Sequence, residues 1–161
     1  MDVRMHAKFN AEGVLEAHWD GTLPVDPAVI ASRVGVEVFN AQLGNDVYGI
    51  LQRKLGGRPQ IFLDHDQPVN RWRFSCAHEL GHYIDRSARL DEEIEYIERR
   101  SDANRFSNDE VFANEFAGNL LMPEADIRAR AAAGMSAYEL AQTFGVSLDA
   151  VLYRKKILGL D

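Results

Sequence analysis

The sequence predicts an α+β protein with a short antiparallel sheet packed on helices, a central helix that carries the pentapeptide HELGH, and a C-terminal helix-turn-helix-like piece. Three patterns favour this class. A segment of apolar residues interrupted by Gly56-Gly57 is typical of a β-hairpin. Apolar residues recur at helical spacing from 73 to 84 and again from 110 to 121. Residues 135–160 show two further helical patterns separated by a glycine.

Residues 24–39, PVDPAVIASRVGVEVF, are predicted to form a helix and the start of a strand. Asp26 can cap a helix that has Pro27 in its first turn. Gly35 can adopt the positive φ that ends such a helix. The next residues, VEVF, therefore begin a strand. Residues 46–64 follow as the hairpin, which closes with the strand QIFL.

The HELGH helix is predicted within residues 73–87, RFSCAHELGHYIDRS. Its apolar and small residues at helical spacing are Phe74, Ala77, Leu80, Gly81 and Ile84. Because apolar residues occur on more than one face, we expect this helix to be buried at the centre of the fold. The acidic stretch at residues 85–110 lacks a periodic pattern and is predicted to be a loop or lid with a short helical turn.

Residues 110–123, EVFANEFAGNLLMP, are predicted to form the next helix, which Pro123 limits. Its inward-facing residues are Phe112, Ala113, Phe116, Ala117, Leu120 and Leu121. Residues 135–160 are predicted to form two helices around a glycine turn. We therefore divide the chain into a core, residues 1–125, and a C-terminal helical piece, residues 126–161, that packs on that core.

Length and composition limit the class of protein. A chain of 161 residues is long enough for one domain with a real core. A net charge of -7 argues against a broad surface for nucleic acid or anionic membranes. The sequence shows no signal-peptide pattern and no apolar run of membrane-spanning length. Because Cys76 has no cysteine to pair with, these features together predict a cytoplasmic protein.

HELGH places two histidines four residues apart, with a glutamate directly after the first. On a helix, His78 and His82 stack on one face, and both imidazoles can bind one zinc ion at about 2.0–2.1 Å. Glu79 lies about 100° around the helix, where it can take a proton from metal-bound water. The alternative is a solvated surface helix, or one buried histidine with a satisfied hydrogen bond. The apolar neighbours of the pair disfavour that alternative, because unpaired buried histidines are costly.

A catalytic zinc needs a third protein ligand and an open position for water. The candidates are Glu110, Glu115, Asp85 and Cys76. Cys76 lies on another face of the helix and is interpreted as a small buried side chain. Asp85 lies one turn beyond His82. It can serve only as a residue that hydrogen-bonds a metal ligand, or as a surface charge.

Glu110 is favoured over Glu115 as the third ligand. Asn114 lies four residues after Glu110, on the same face of the predicted helix, and can hydrogen-bond the far nitrogen of a ligand histidine. Glu115 has no such arrangement. One alternative stays open, because Ser107 and Glu110 also fit the S-x-x-E capping box at the start of this helix.

Three segments resemble the ImmA/IrrE-type metallopeptidases: PVDPAVIASRVGVEV, R-x-R-F-S-x-A-H-E-L-G-H-Y and E-x-x-A-N-E-F-A-G-N-L-L-M-P. The resemblance extends from about residue 22 to residue 160 and implies a small thermolysin-like zincin core. It implies metal ligands at His78, His82 and Glu110, with the catalytic glutamate at Glu79.

Members of this family cleave helix-turn-helix repressors or antitoxin-like partners, under stress or in mobile elements. The resemblance therefore implies a protein substrate of this class and a zinc-dependent endopeptidase. Two histidines and a glutamate suit zinc, with manganese as the alternative metal. The candidates for a second oxyanion donor are Tyr48, Tyr83, Tyr96 and His65. A hairpin edge strand, around residues 47–54 or 60–64, is expected to bind the substrate backbone by strand addition.

The segment LAQTFGVSLDAV, residues 140–151, matches a helix-turn-helix pattern in which Ser147 caps the second helix. DNA binding would use Tyr153, Arg154, Lys155 and Lys156. Residues 135–161 carry three basic and three acidic residues, however, so this piece would gain little from phosphates. The favoured interpretation is two helices that pack on the core or dock a protein substrate. The alternative function is a DNA-binding regulator with a structural or vestigial metal site.

Overall fold

The computed structural model describes residues 1–87, 92–101 and 106–160 and has the predicted α+β fold. Within these residues the helices are α1 (Val3–His18), α2 (Pro27–Val34), α3 (Val69–Arg86), α4 (Asn108–Leu121), α5 (Glu124–Ala132), α6 (Ala137–Phe144) and α7 (Leu148–Leu158). The strands are β1 (Glu37–Ala41), β2 (Val47–Arg53), β3 (Gln60–Asp64) and β4 (Ile94–Arg99). No helix in the described residues is long and apolar enough to cross a bilayer.

The predicted caps of α2 are confirmed. Asp26 accepts hydrogen bonds from the amides of Ala28 and Val29, and Pro27 is the first helical residue. Gly35 ends the helix with a φ of 105°, a left-handed conformation that favours glycine. These two caps fix where the chain leaves α2 and enters β1.

The sheet has the strand order β1-β3-β2-β4. β2 and β3 form the predicted hairpin and pair antiparallel, as β2 and β4 do. β1 pairs parallel to β3, so the sheet is mixed rather than wholly antiparallel. Phe39 of β1 stacks on Phe62 of β3, with ring centroids 5.4 Å apart, which supports this non-local pairing.

The stretch predicted to be irregular, residues 85–110, contains strand β4, so that prediction was wrong for residues 94–99. Residues 88–91 and 102–105 of the same stretch lie outside the described residues. Ile94 and Glu98 point inward and are buried, while Glu95 and Ile97 are exposed. A charged residue at an inward position and an apolar one at an outward position hide the alternation that identifies a strand.

Helix α3 lies at the centre of the molecule, as predicted, and its residues 75–82 are all buried. It packs most extensively on α4 and also contacts three of the four strands. The two helices approach closely at Gly81, where an added Cβ would lie 3.1 Å from Ala113 Cα and from Phe116 Cδ1. All six residues predicted to face inward on α4 are buried. The close contact sets the distance between side chains that α3 and α4 direct at each other.

Helix α1, for which the sequence suggested no element, buries Ala7, Ala11 and Leu15 and packs against α4. The C-terminal helices α6 and α7 flank Gly145, whose φ is 64°. The division into residues 1–125 and 126–161 stays a prediction, and its boundary falls inside α5.

Arginine side chains attach the C-terminal helices to the rest of the fold. Arg73 of α3 donates to the carbonyls of Val25, Phe144 and Gly145. Arg154 of α7 is 4% exposed, and both its Nε and its Nη2 donate to the carbonyl of Met122. Arg154 is therefore not free to contact phosphates, which contradicts its proposed part in DNA binding.

Candidate metal centre

The candidate centre is formed where α3 meets the first turn of α4. His78 and His82 are one turn apart on α3 and are almost fully buried. Ser107 caps α4 by accepting a hydrogen bond from the Glu110 amide. The predicted capping box is only half present, because the Glu110 carboxylate is turned toward the histidines. The cap therefore positions Glu110 and leaves its side chain available.

Glu110 contacts both histidines. Its Oε2 lies 2.6 Å from His82 Nε2, and its Oε1 lies 3.5 Å from His78 Nε2. One donor atom from each of the three side chains lies within 4.8 Å of the others. Burial raises the pKa of the Glu110 carboxyl, but its close contacts with the imidazoles of His78 and His82 outweigh burial and hold the pKa well below its usual range. Glu110 is thus an ionised carboxylate facing two imidazoles.

Glu115, the other candidate on α4, points elsewhere. Its Oε1 accepts a hydrogen bond from Tyr153 at 2.7 Å and lies 3.4 Å from Nε of Arg4. Cys76 is fully buried among apolar residues, and burial raises the pKa of its thiol. Neither side chain joins the three residues that lie together, although the identity of the ligands stays a prediction.

Asn114 lies one turn after Glu110 and contacts His78. Its Oδ1 is 2.8 Å from His78 Nδ1. Because an amide oxygen only accepts, Nδ1 must carry a hydrogen, so in the neutral imidazole, the form that binds a metal, the lone pair is on Nε2. Nε2 is the nitrogen that faces Glu110, and it is buried without a hydrogen-bond partner among the described residues. This contact is the one expected for a residue that orients a metal-binding histidine.

Glu79 is fully buried, and neither of its oxygens has a hydrogen-bond partner in the described part of the chain. Burial raises the pKa of its carboxyl well above the ordinary value; His78 opposes this, and the carboxylate of Glu98 adds to it. Gly49 of β2 lies against this side chain, since an added Cβ would be 3.4 Å from Glu79 Cγ. A buried carboxyl with no partner is costly for stability, and such a group is explained by strain, by catalysis or by a bound water or ion.

Glu98 is a residue at this centre that the sequence did not indicate. It comes from β4, is 6% exposed, and accepts a hydrogen bond from Arg71 Nη2 at 2.8 Å. Its Oε2 is 3.9 Å from His78 Nε2. Burial lowers the pKa of His78, but Glu98, Glu110 and Glu79 outweigh burial and raise it to about 9. A strand with Ile94 and Glu98 on one face could have indicated this residue, had the strand been identified.

The four candidates for a second oxyanion donor lie in different places. Tyr96 stacks on His82, with ring centroids 3.9 Å apart, and its hydroxyl donates to Asp109. Tyr48 lies under the guanidinium of Arg71. His65 contacts the Ala41 carbonyl, and Tyr83 packs against the core. Among the four, Tyr96 is in ring contact with one of the predicted metal ligands.

These residues fit a divalent metal ion. Two buried imidazoles and an ionised carboxylate form a donor set typical of catalytic zinc. The unpaired Nε2 of His78 and the unpaired oxygens of Glu79 are polar atoms that a bound ion and its water would satisfy. A buried HExxH helix, a glutamate from the next helix and an adjacent sheet together define a metallopeptidase core of the zincin type.

The particular family follows from the sequence comparison. Residues 31–156 match Peptidase_M78, the IrrE N-terminal-like domain. Because this match covers most of the chain, the protein belongs to that family, as the resemblance suggested. None of the curated proteins searched matches the chain.

Proposed function

We propose that this metallopeptidase is a zinc-dependent endopeptidase that hydrolyses a peptide bond in a protein partner, a helix-turn-helix repressor or an antitoxin-like protein. The observation that carries the proposal is the Glu79 carboxyl, fully buried and unpaired beside His78, His82 and Glu110. A structural metal site would have no need of this costly group. A general base next to a metal-bound water would need it.

Each residue has a distinct task in this proposal. A zinc ion held by His78, His82 and Glu110 would supply a Lewis acid and a water of lowered pKa. Asn114 fixes the tautomer and the orientation of His78. Glu79 accepts the proton of the attacking water and then donates it to the leaving amine. Burial raises the pKa of the Glu79 carboxyl in the metal-free protein, and a carboxyl of raised pKa is a stronger base than an ordinary one.

The substrate backbone is expected to pair with an edge of the sheet. The hairpin strands proposed from the sequence do not qualify, because β2 and β3 are the two inner strands. β4 is an edge strand and carries Glu98 and Tyr96, which lie next to His78 and His82. We therefore assign the strand addition to β4.

The metal, the location and the partner belong to the same proposal. Manganese is the alternative where zinc is scarce. A lone buried thiol, that of Cys76, suits the reducing cytoplasm. Cleavage of a repressor would relieve transcription under stress, as the family resemblance implies.

The experiment compares wild type with Glu79→Gln, both loaded with zinc, on candidate helix-turn-helix repressors. The amide is nearly isosteric but cannot act as a base, and loss of a general base costs about 10²–10⁴-fold or more. We expect cutting by wild type and none by Glu79→Gln, which should retain zinc and hold the repressor uncut. Equal release of the repressor from DNA by both proteins would favour sequestration. If wild type cuts none of the candidate repressors in the presence of Zn²⁺ or Mn²⁺, the proposed peptidase function is overturned.

The second candidate function is DNA binding through the helix-turn-helix, whose caps at Gly145 and Ser147 have the predicted geometry. With Arg154 buried, Lys155 and Lys156 would have to supply the phosphate contacts. We expect a Lys155→Ala, Lys156→Ala double variant to retain the same background DNA binding as wild type. Tight binding at physiological salt, lost in the double variant, would support the regulator instead.

A further inference from the structure

A large apolar cavity lies next to the candidate metal centre. Its volume is about 730 Å³, and its walls come from the beginning of α3, one face of α4 and one face of α7. Phe74, one turn before His78, lines it, and so does Asn114, which contacts His78. Cavities of this size with mostly apolar walls and a few polar groups are the usual sites for ligands.

The cavity lies beside the candidate metal centre along helix α4, where Asn114 and Gly118 line it. Glu110, Asn114 and Gly118 are spaced by four residues and share one face of that helix. Eight residues of helix rise about 12 Å, so Gly118 lies roughly that far along α4 from Glu110, with Asn114 between them on the cavity wall. An added Cβ at Gly118 would meet nothing within 4 Å. The glycine thus leaves α4 without a side chain on this part of the cavity wall.

Helix α7 provides the opposite wall. Ala150, Tyr153 and Ile157 line the cavity, and the side chains of Tyr153 and Ile157 are only about half buried. The Tyr153 hydroxyl is held by Glu115 of α4, which fixes the distance between the two walls. Helix α7 therefore presents an apolar surface to the cavity.

Arg71 adds a polar group at the end of the cavity near the metal centre. Its Nη2 donates to Glu98, and its guanidinium stacks on Tyr48 at 4.0 Å. Its Nε is buried and has no hydrogen-bond partner among the described residues. The Arg71 side chain as a whole is 35% exposed, so its guanidinium can donate to the carbonyl of a bound peptide. Apolar walls beside a charged donor point to a peptide as the occupant.

We propose that this cavity binds a segment of the substrate with two or more large apolar side chains beside the scissile bond, and that α7 determines this specificity. The inference rests on the proposed peptidase function for the position of the scissile bond. A cavity of about 150 Å³ holds a benzene ring, so the volume here accommodates more than one large side chain. Such side chains are normally buried in a folded protein, so the substrate must expose the segment by local unfolding.

The first test is binding, and it requires no catalysis. ¹⁵N-labelled protein is titrated with the blocked dipeptide N-acetyl-leucyl-leucinamide, and with its seryl-serine counterpart as the polar control. We expect the apolar peptide to shift the amide resonances of Gly118, Ala150 and Ile157, and the polar peptide to leave them unchanged. Equal shifts with both peptides, shifts elsewhere only, or none would overturn the proposal.

Two glycine variants make the test specific. An added Cβ at Gly118 meets no neighbour, and leucine is favoured over glycine within a helix, so Gly118→Leu is expected to keep the fold and to place its side chain in the cavity. Gly13→Leu is the matched control, since Gly13 also lies within a helix, has open space and does not line the cavity. Gly118→Leu should weaken binding of the apolar peptide at least about 10-fold, the lower limit for a misfit in a hydrophobic pocket. Gly13→Leu should bind as wild type does.

The second test is cleavage of a randomised library of quenched fluorescent peptides by the zinc-loaded proteins. We expect wild type and Gly13→Leu to select leucine, isoleucine, methionine or phenylalanine beside the cleaved bond, and Gly118→Leu to shift toward smaller residues. Cutting without such selectivity, at the same rate in Gly118→Leu, would reject the cavity as the specificity site and retain the peptidase. Dipeptide binding at the cavity without any cutting would reject the peptidase and retain the cavity as an apolar binding site.

Discussion

Two groups of buried polar side chains in this molecule differ in how well they are satisfied. Arg73 and Arg154, which attach the C-terminal helices, donate their N–H groups to backbone carbonyls. At the candidate metal centre, Nε2 of His78, both oxygens of Glu79 and one oxygen of Glu98 are buried without a hydrogen-bond partner among the described residues. The first group is complete in the protein alone, whereas the second group is not.

The difference separates structural from functional burial. A satisfied buried group contributes to stability and fixes one arrangement of the helices. A buried polar group without a hydrogen-bond partner destabilises the folded state, and such groups occur mainly where a ligand or a reaction requires them. The two groups should therefore respond differently to substitution. Changes at the arginines should affect folding, and changes at the centre should affect metal binding.

The largest expected effect is on zinc affinity at Glu110. Glu110→Gln removes the carboxylate that contacts both histidines, so we expect zinc affinity to fall by at least about 100-fold, more than the loss of an outer residue costs. Glu115→Gln is the matched control and should retain wild-type affinity. Titration of zinc against a competing chelator measures both. Equal affinities would defeat the Glu110 assignment and leave Glu110 as a helix-capping residue.

The next effect concerns the arginines and should appear in stability alone. Arg154→Met retains the apolar stem but leaves the Met122 carbonyl without its donors, which should lower the free energy of unfolding by about 1–3 kcal/mol. Lys156→Met, on the exposed side of α7, should stay within about 0.5 kcal/mol of wild type. Chemical denaturation provides the comparison, and zinc affinity should be unchanged in both variants. A loss of zinc binding in folded Arg154→Met would remove the distinction between the two groups.

A smaller change in affinity is expected at Asn114. Removing a residue that orients a ligand histidine costs about 10–100-fold in metal affinity. Asn114 is exposed, so water can replace part of its hydrogen bond, and Asn114→Ala should be near the 10-fold limit. Asn114→Asp, which retains the acceptor, should restore the affinity. An Asp variant as weak as the Ala variant would contradict the orienting role.

Features of this fold that depend on neighbouring residues in the chain could be predicted from the sequence, whereas features that depend on contacts between distant residues could not. The caps of α2, the hairpin and the spacing of His78 and His82 are local and were predicted correctly. The parallel pairing of β1 with β3 depends on contacts between residues far apart in the chain. Strand β4 was missed because Glu98 is buried at an inward position and Ile97 is exposed at an outward one. The element that breaks the usual pattern is thus the one that approaches the candidate metal centre.

The cavity could not be predicted for a similar reason. Gly118 within a helix gives no local sign that Ala150 and Ile157 lie opposite it. Asn114, in contrast, was predicted from its spacing to Glu110, because four residues along a helix already define a shared face. The sequence therefore predicts which residues share a face of one helix. It does not predict which residues of different helices come into contact when the helices pack.

The smallest expected effect is the pH dependence of stability in metal-free Glu79→Gln. The folded-state pKa of Glu79 is raised above its ordinary value of 4.5, so the folded protein loses stability as the pH rises from 4.5 through that pKa. Glutamine avoids this loss, and the variant should exceed wild type by at least about 1 kcal/mol at pH 8, with a smaller gain at pH 5. Urea denaturation at both pH values measures the gain. A gain that is equal at both pH values would show that the Glu79 carboxyl is not destabilised by burial.

X-ray absorption spectroscopy of the zinc-loaded protein tests most directly whether the buried polar side chains around His78, His82 and Glu110 form a metal centre. The proposal predicts a first shell of nitrogen and oxygen at about 2.0–2.2 Å, with two imidazoles and no sulfur. The spectrum should be the same in Glu79→Gln, since Glu79 faces the water and does not bind the metal, and it should lose one imidazole in His82→Ala. A sulfur neighbour, a first shell altered by Glu79→Gln, or zinc that remains bound by two imidazoles in His82→Ala would contradict it.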